Sequence, residues 1–293
     1  MRLSGKIFYN FNLGPGTEHL VGEILFPYEI EFKIDNSVLL FGRYSVGLLK
    51  RIIFLASNPK SPTLLFKSGA FCESHHSSKI IVGGEHNNLL SFNHSVGVYG
   101  KLLTSQLDES DKNLLEIKTS GVILGNGVII SANCCVLDAA DIGDGTLLAA
   151  GAVVEKRTQA FSIYGGVPAK FIKKRLNDIQ IEIIRSLQIE RIRGHLVGLI
   201  PSIVNEIELG NVSINAAKRS LEYMEIIPRL IIRGSRGTND EIIVGEIENY
   251  MLGDSYITDQ SQINQLNQYF DQCRRNASSL AWSPDVFHTL NIS

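Results

Sequence analysis

The sequence predicts a mainly β protein: a parallel coil that turns a corner every six residues, followed by an α-rich C-terminal extension. Three observations carry this reading. From residue 124 the chain runs LGNGVI, ISANCC, VLDAAD, IGDGTL, LAAGAV, VEKRTQ, and each block opens on an aliphatic residue: Leu124, Ile130, Val136, Ile142, Leu148 and Val154. The second position is small in most blocks (Gly125, Ser131, Gly143, Ala149), and so is the fifth (Cys134, Ala140, Thr146, Ala152). After Leu176 the apolar spacing becomes helical. A helix repeats its apolar positions at three and four and a half-buried strand at two, so neither produces a strict six.

A six-residue period suits three flat faces per coil, with successive coils stacked as parallel strands. The lead residue of each block points into a narrow prism that a branched aliphatic chain fills. Small second positions relieve backbone crowding, a preference from which Leu137 and Glu155 depart. On this reading Cys134 occupies a small fifth position and Cys135 the corner after it, both structural.

Upstream the clock is irregular. Ser68 and Ser74 stand where aliphatic leads are expected ahead of Ile80. Residues 1–60 hold the strand-like runs EIEFKI, SVLLF and RIIFLA without clean blocks, which reads as a β region of imperfect coils or a β cap. The coil domain is assigned to 61–176. Within it, 37 residues separate His86 from Leu124 and include the charged stretch QLDESDKN. A stretch of that length without repeat punctuation predicts an excursion at about 87–120, either an acceptor-shaping loop or a solvated one.

Residues 177–293 form the mostly helical extension. Ile183, Ile184, Leu187, Leu196, Leu199, Ile200 and Ile203 follow mostly helical spacing, with Asn177 or Asp178 available as N-cap and Pro201 placed to end or kink the helix. A second helix is expected over 212–226 and another over 259–275. RLII and EIIVGEI flank the turn RGSRGTND as a hairpin or as a strand followed by a helix.

Composition narrows the function classes. Lys+Arg is 28 against Asp+Glu 30, without the basic excess of a nucleic-acid binder. The four cysteines form no CxxC spacing and read as free thiols in a reducing compartment. The N-terminal MRLSGKIFYNFNLGPG holds no apolar h-region, and no apolar run reaches the ~20 residues of a membrane span. A cytoplasmic protein is expected.

The blocks run into SIYGGVPAKFIKKRL, residues 162–176, and are preceded by SGAFCESHHSSKIIVGGEHNN, residues 68–88. In this order the segments resemble the hexapeptide-repeat acyltransferases, in particular their xenobiotic acetyltransferase-like and polysaccharide O-acetyltransferase branch. The Gly166-Val167-Pro168-Ala169-Lys170 segment and the Gly83-Gly84-Glu85-His86 segment carry the likeness. The resemblance implies a left-handed parallel β-helix, a homotrimer, and acetyl-CoA lying along the coils between two subunits. It also implies acetyl transfer to a carbohydrate of a surface polysaccharide, capsule or lipopolysaccharide pathway, without metal, nucleic acid or membrane span. The family's catalytic base maps to His86, and its cofactor contacts map to Ala132, Ala150, Lys170 and Lys173. Glu85 and His94 are candidate acceptor contacts. Glu155 stands where some relatives place a threonine that touches the cofactor.

The chemistry fits the residue types. A thioester is already activated, so transfer needs a base for the acceptor's proton and a donor for the developing oxyanion. Histidine accepts a proton near neutral pH. His75 and His76 read as a solvated corner, and nothing recommends His19, His195 or His288. Acetylation of a small hydroxylated antibiotic is the alternative within the same chemistry. A non-catalytic β-helix serving assembly or binding is the alternative of a different class. A zinc hydratase of the carbonic anhydrase type is disfavoured, because the coils from 121 to 160 contain no histidine.

Overall fold

A computed structural model describes residues 29–48, 51–55, 59–84, 119–225, 227–236, 242–252 and 255–256, with the single residues 259, 261 and 264. Its first half is a coil whose three faces are three sheets. One face stacks β2 (Ser37–Phe41), β4 (Thr63–Ser68), β7 (Val122–Leu124) and β10 (Asp141–Ile142). The second stacks β5 (Glu73–Ser74), β8 (Ile129–Ile130), β11 (Leu147–Leu148) and β13 (Ser162–Gly165), closed by β14 (Lys170–Lys174). The third stacks β3 (Ile52–Phe54), β6 (Lys79–Val82), β9 (Cys135–Val136) and β12 (Val153–Val154). Neighbours within the coil pair in parallel, with Leu124 beside Ile142, Ile130 beside Leu148, and Val136 beside Val154. Each block therefore meets the block eighteen residues on, as three six-residue faces require.

The lead residues fill the prism. Leu124, Ile130, Val136, Ile142, Leu148 and Val154 are all buried, and so are the fifth positions Val128, Cys134, Ala140, Thr146 and Ala152. Ser68 and Ser74 occupy lead positions too, in register with Leu124 and Ile130. Each is hydrogen bonded where it is buried: the Ser68 hydroxyl accepts the Gly42 N–H at 3.1 Å, and Ser74 pairs with the Ser78 hydroxyl at 2.6 Å. That partnering is what allows a hydroxyl at a core position.

Every sixth residue turns the corner in the left-handed region: Gly121, Gly127, Asn133, Ala139, Gly145 and Gly151. Glycine and asparagine enter that region most readily, which accounts for five of the six. Cys135 is corrected here: it opens β9 instead of forming a corner, because the left-handed turn is made two residues earlier by Asn133. Burial raises the Cys134 and Cys135 thiols and pushes Cys72 up to about 12.

The N-terminal runs are strands. β1 (Glu29–Ile34) folds back antiparallel on β2, and β2 and β3 lie on two faces of a first coil. The extension starts with α1 (Asp178–Leu187), capped by Asn177, whose side chain accepts the Gln180 N–H at 2.8 Å in a reciprocal capping box. α2 (Ile200–Glu208) begins beside Pro201 rather than ending there, since the missing N–H of proline is harmless in a first turn. α3 (Ile214–Ser220) lies within the second expected helix. Three strands follow it: β15 (Pro228–Arg236) pairs antiparallel with β16 (Ile242–Leu252), which pairs with β17 (Ser255–Tyr256). The hairpin alternative is the one observed. β15 also runs parallel to β1, with Arg229 bound to Glu29 at 2.7 Å and Glu31 at 3.1 Å. The helix expected over 259–275 lies outside the described residues, save for isolated positions.

A Cβ built at Gly143 would sit 2.6 Å from the Ala160 backbone nitrogen. Gly143→Ala is expected to destabilise the coil by about 2–3 kcal/mol in a urea titration, because the obstacle is backbone and cannot move aside. The folded Cys72 thiol titrates above an unfolded cysteine at ~8.5, so its contribution to stability is complete below that pH and is lost as pH climbs toward 12. Thiol alkylation mapped by mass spectrometry at pH 8 should therefore leave Cys72 unmodified in the native protein.

Candidate functional site

The three edges of the coil have three different fates. The first edge, between the β4 and β5 faces, is covered by the extension. Ile183, Leu187, Ile192, Ile200, Val204 and Leu221 form a core against which Phe71 of this edge packs. Arg43, 1% exposed, donates to the Ile192 carbonyl and reaches the Met224 sulfur at 2.9 Å, and its burial lowers its pKa. The Tyr44 ring stacks on Phe71 at 5.2 Å, and Arg175 donates to the Gly145 carbonyl.

The third edge, between the β6 and β7 faces, is where the chain leaves the coil. Gly83 and Gly84 take two successive positive φ values, 79° and 84°. A Cβ at Gly84 would lie 2.6 Å from Leu55 Cδ1, so the glycine pair has both a conformational and a steric reason. The described chain resumes at residue 119, and β7 then continues the stack on β4. Both ends of the excursion converge on Asp138. Its buried carboxylate accepts the Gly83 N–H at 2.9 Å, the Gly121 N–H at 3.0 Å and the Ser120 N–H at 2.7 Å. Sequence reasoning missed Asp138, which reads as an ordinary third-position residue until the two ends meet on it. His86, Glu85 and His94 lie outside the described residues, as does the segment 87–118.

The second edge, between the β5 and β6 faces, holds the remaining predicted residues. Ala132 and Ala150 sit at equivalent corners of consecutive coils, where the Ala132 carbonyl accepts the Gly151 N–H at 2.9 Å. Ala150 is exposed and Ala132 half-buried, leaving the backbone open to a ligand arm. Beyond them, Ala149 donates to the Tyr164 carbonyl at 2.8 Å, and Gly165 pairs with Lys170.

Lys170 and Lys173 are three residues apart on an exposed strand, a spacing that ordinarily places side chains on opposite faces. A bulge corrects this: Lys170 opposes Gly165 and Lys173 opposes Ile163, leaving Ile172 unpaired. Directly opposed residues share a face, so both lysines stand on the outer face with Gly165 and Ile163. Lys174 is tied to Asp178 at 2.6 Å and Arg175 to Gly145, whereas among the described residues Lys170 and Lys173 form no ion pair. The basic turn of the sequence is thus a strand edge with two free cations.

Below the first edge lies a cleft of about 870 Å³, between the last coils and α1. Its cations are paired with its own acids, Arg157 with Asp141 at 3.4 Å and Arg185 with Glu182 at 2.8 Å. None of the residues expected to bind cofactor lines it. Among the described residues no cluster of three or more His, Cys, Asp or Glu could hold a metal, and no helix is long and apolar enough to cross a membrane.

No protein-family model matches the chain. It is 42% identical over 66 residues to a probable macrolide acetyltransferase of Lysinibacillus sphaericus, covering 22% of this chain and 37% of that protein. It is 32% identical over 71 residues to a chloramphenicol acetyltransferase of Klebsiella aerogenes, covering 24% and 34%. It is 45% identical over 53 residues to a 2,3,4,5-tetrahydropyridine-2,6-dicarboxylate N-acetyltransferase of Enterococcus faecalis, covering 18% and 23%. The chain thus spans between about a quarter and just over a third of the length of these curated relatives. Among solved structures, the polysialic acid O-acetyltransferase OatWY aligns at 15% identity and a TM-score of 0.30, over 50% of this chain and 54% of that one. A hexapeptide-repeat acetyltransferase of Vibrio cholerae, complexed with acetyl coenzyme A, aligns at 16% and 0.30, over 59% and 84%. At such scores the structural likeness carries no argument. The proteins that this chain resembles are acetyltransferases, and the resemblance is confined to part of each.

Removing the Asp138 carboxylate orphans three backbone N–H groups, one of them beside a predicted catalytic loop. Asp138→Ala is expected to lower stability by about 3 kcal/mol. Hydrogen exchange followed by NMR should show the Gly83, Ser120 and Gly121 amides exchanging faster while Leu148 and Val154 remain protected.

Proposed function

We propose that the chain is an acetyl-CoA-dependent acetyltransferase that moves an acetyl group to a hydroxyl or amine of a carbohydrate, in the assembly of a surface polysaccharide, capsule or lipopolysaccharide. The observation that carries the reading is the uncovered second edge, where small corners at Ala132 and Ala150 lead to two unpaired lysines on one face. That arrangement suits a long arm with two amides, which needs backbone groups, ending in phosphates, which need cations. The curated relatives, all named as acetyltransferases, support the same chemistry.

In this mechanism the acetyl-CoA arm lies along the second edge, with its phosphates at Lys170 and Lys173. His86 takes the proton of the acceptor as its oxygen or nitrogen attacks the thioester carbonyl, and Glu85 and His94 contact the acceptor. The tetrahedral adduct then collapses, the carbon–sulfur bond breaks, and the thiolate of CoA recovers the proton. The excursion leaves the coil at the third edge, one six-residue face away from Ala132, which is at most about 20 Å. A left-handed coil assembled as a homotrimer would bring the third edge of one copy to the second edge of its neighbour. The coil domain of residues 61–176, the β region of residues 1–60 and the extension from 177 then divide the work into catalysis, capping and support, in the cytoplasm.

A second reading has an observation of its own. Two of the relatives are named for macrolide and chloramphenicol acetylation, which favours a small hydroxylated antibiotic as the acceptor.

Calorimetry with acetyl-CoA tests the proposal. Binding should weaken with salt, and Lys170→Ala should weaken it about tenfold, the loss of one charge-assisted contact. His86→Ala should retain binding and lower turnover by about 10²–10⁴-fold once an acceptor is supplied. Absence of binding at millimolar acetyl-CoA would refute the assignment and leave a β-helix that serves as a scaffold.

A further inference from the structure

The second edge continues past Ala132 in the direction away from Lys170, and there it presents two histidines that the mechanism above does not use. His75 follows β5, the edge strand of a five-stranded sheet whose opposite edge is β14, the strand that opens with Lys170. One row of hydrogen bonds joins them: His75 N–H to Ile130 O at 2.9 Å, Ser131 N–H to Leu148 O at 3.1 Å, and Ala149 N–H to Tyr164 O at 2.8 Å. Gly165 then pairs with Lys170. His75 and Lys170 accordingly stand on the same outer row, four strand spacings apart, about 19 Å. The arm of CoA between phosphate and sulfur is a chain of about twelve bonds, about 14 Å when extended. An extended lysine side chain spans the remainder. A thioester whose phosphates rest on Lys170 therefore reaches the level of His75.

The state of the His75 ring is fixed by its neighbours. The Ser77 backbone N–H points at His75 Nδ1 at 3.3 Å, and the Ser77 hydroxyl lies 2.9 Å from the same atom. A backbone N–H can only donate, so Nδ1 is the acceptor and the neutral ring carries its proton on Nε2. The Ser77 hydroxyl oxygen in turn accepts the Asn133 N–H at 3.0 Å, which anchors the group to the next coil. The His76 ring lies against His75, tilted by 40° with centroids 4.0 Å apart, and limits its rotation. His75 is exposed, and no described residue occupies its Nε2.

Resting on the acetyl-CoA reading of the second edge, we propose that His75 is a further catalytic residue, whose Nε2–H donates to the thioester carbonyl oxygen and stabilises the oxyanion formed there. A donor held in place before the reaction is worth more than one recruited during it. As the acceptor attacks, the carbonyl π electrons move to the oxygen facing His75. When the carbon–sulfur bond breaks they return to re-form the carbonyl, and the electrons of that bond leave on the sulfur of CoA. The His75 proton stays on Nε2 throughout, so its role is distinct from that of His86.

Infrared difference spectroscopy of acetyl-CoA carrying ¹³C at the thioester carbonyl tests this without an acceptor. With the unaltered chain, the bound carbonyl band should move to lower frequency than in free acetyl-CoA. In His75→Ala the band should return to the free position, while the Kd measured by calorimetry stays within about threefold of the unaltered protein. An unshifted band in the unaltered protein, or the same shift in His75→Ala, overturns the role of His75 and leaves the acetyl-CoA site standing. No binding of acetyl-CoA by either protein overturns both.

Discussion

A face only two to six residues wide leaves room inside a three-sided coil for little more than one branched side chain per face and coil, and every other feature of this chain answers to that confinement. The lead residues must be aliphatic because nothing else fills the prism without an unpaired polar group. Where Ser68 and Ser74 take the position instead, each has a hydrogen-bonding partner within the interior. The corners must turn within a single residue, which places Gly127, Asn133, Gly145 and Gly151 in the left-handed region. Stacked corners leave no space for a Cβ at Gly42, Gly69, Gly125 or Gly143, each of which would meet the backbone of the next coil.

A rigid prism presents three long edges, and this chain treats them unequally. The first is sealed by the C-terminal helices through Arg43, Tyr44 and Phe71. The third is interrupted by the excursion, whose two ends Asp138 draws together. The second stays open along its length. A ligand that needs contact with several coils in succession has one uninterrupted track among the described residues, from His75 to Lys170. Edge-by-edge specialisation thus turns a repetitive scaffold into one with a direction, small residues in the middle, cations at one end and paired imidazoles at the other.

The extension serves the same architecture. Its helices make their own core from Ile183, Leu187, Ile192 and Val204, but that core is completed by Phe71 of the coil. Its strands return to the beginning of the chain, where β15 lies beside β1 and Arg229 joins Glu29 and Glu31. The N-terminal strands and the extension consequently share one sheet with the first face of the coil. Charged pairs at half-exposed sites contribute little individually, so the parallel ladder rather than the ion pairs carries that junction.

By itself the sequence determined the six-residue clock, the inward leads, the small fifth positions and a helix cap at Asn177 or Asp178, because each depends on spacing along the chain, whereas Ala132, Ala150, Lys170 and Lys173 were reached through a resemblance. His86, Glu85 and His94 were reached through a resemblance, and they lie outside the described residues. Contacts between distant parts of the chain were decided only by the tertiary structure. Asp138 became a clamp when residues 83 and 120 met on it, and Lys170 and Lys173 came to one face through a bulge that no pattern of residue types announces. Pro201 opened a helix instead of ending one, Cys135 proved to be strand instead of corner, and β15 found an edge to pair with at β1. Local periodicity reports on the shape of a turn. Which edges are covered, and which remain free for chemistry, depends on how the turns are stacked and on what the rest of the chain packs against.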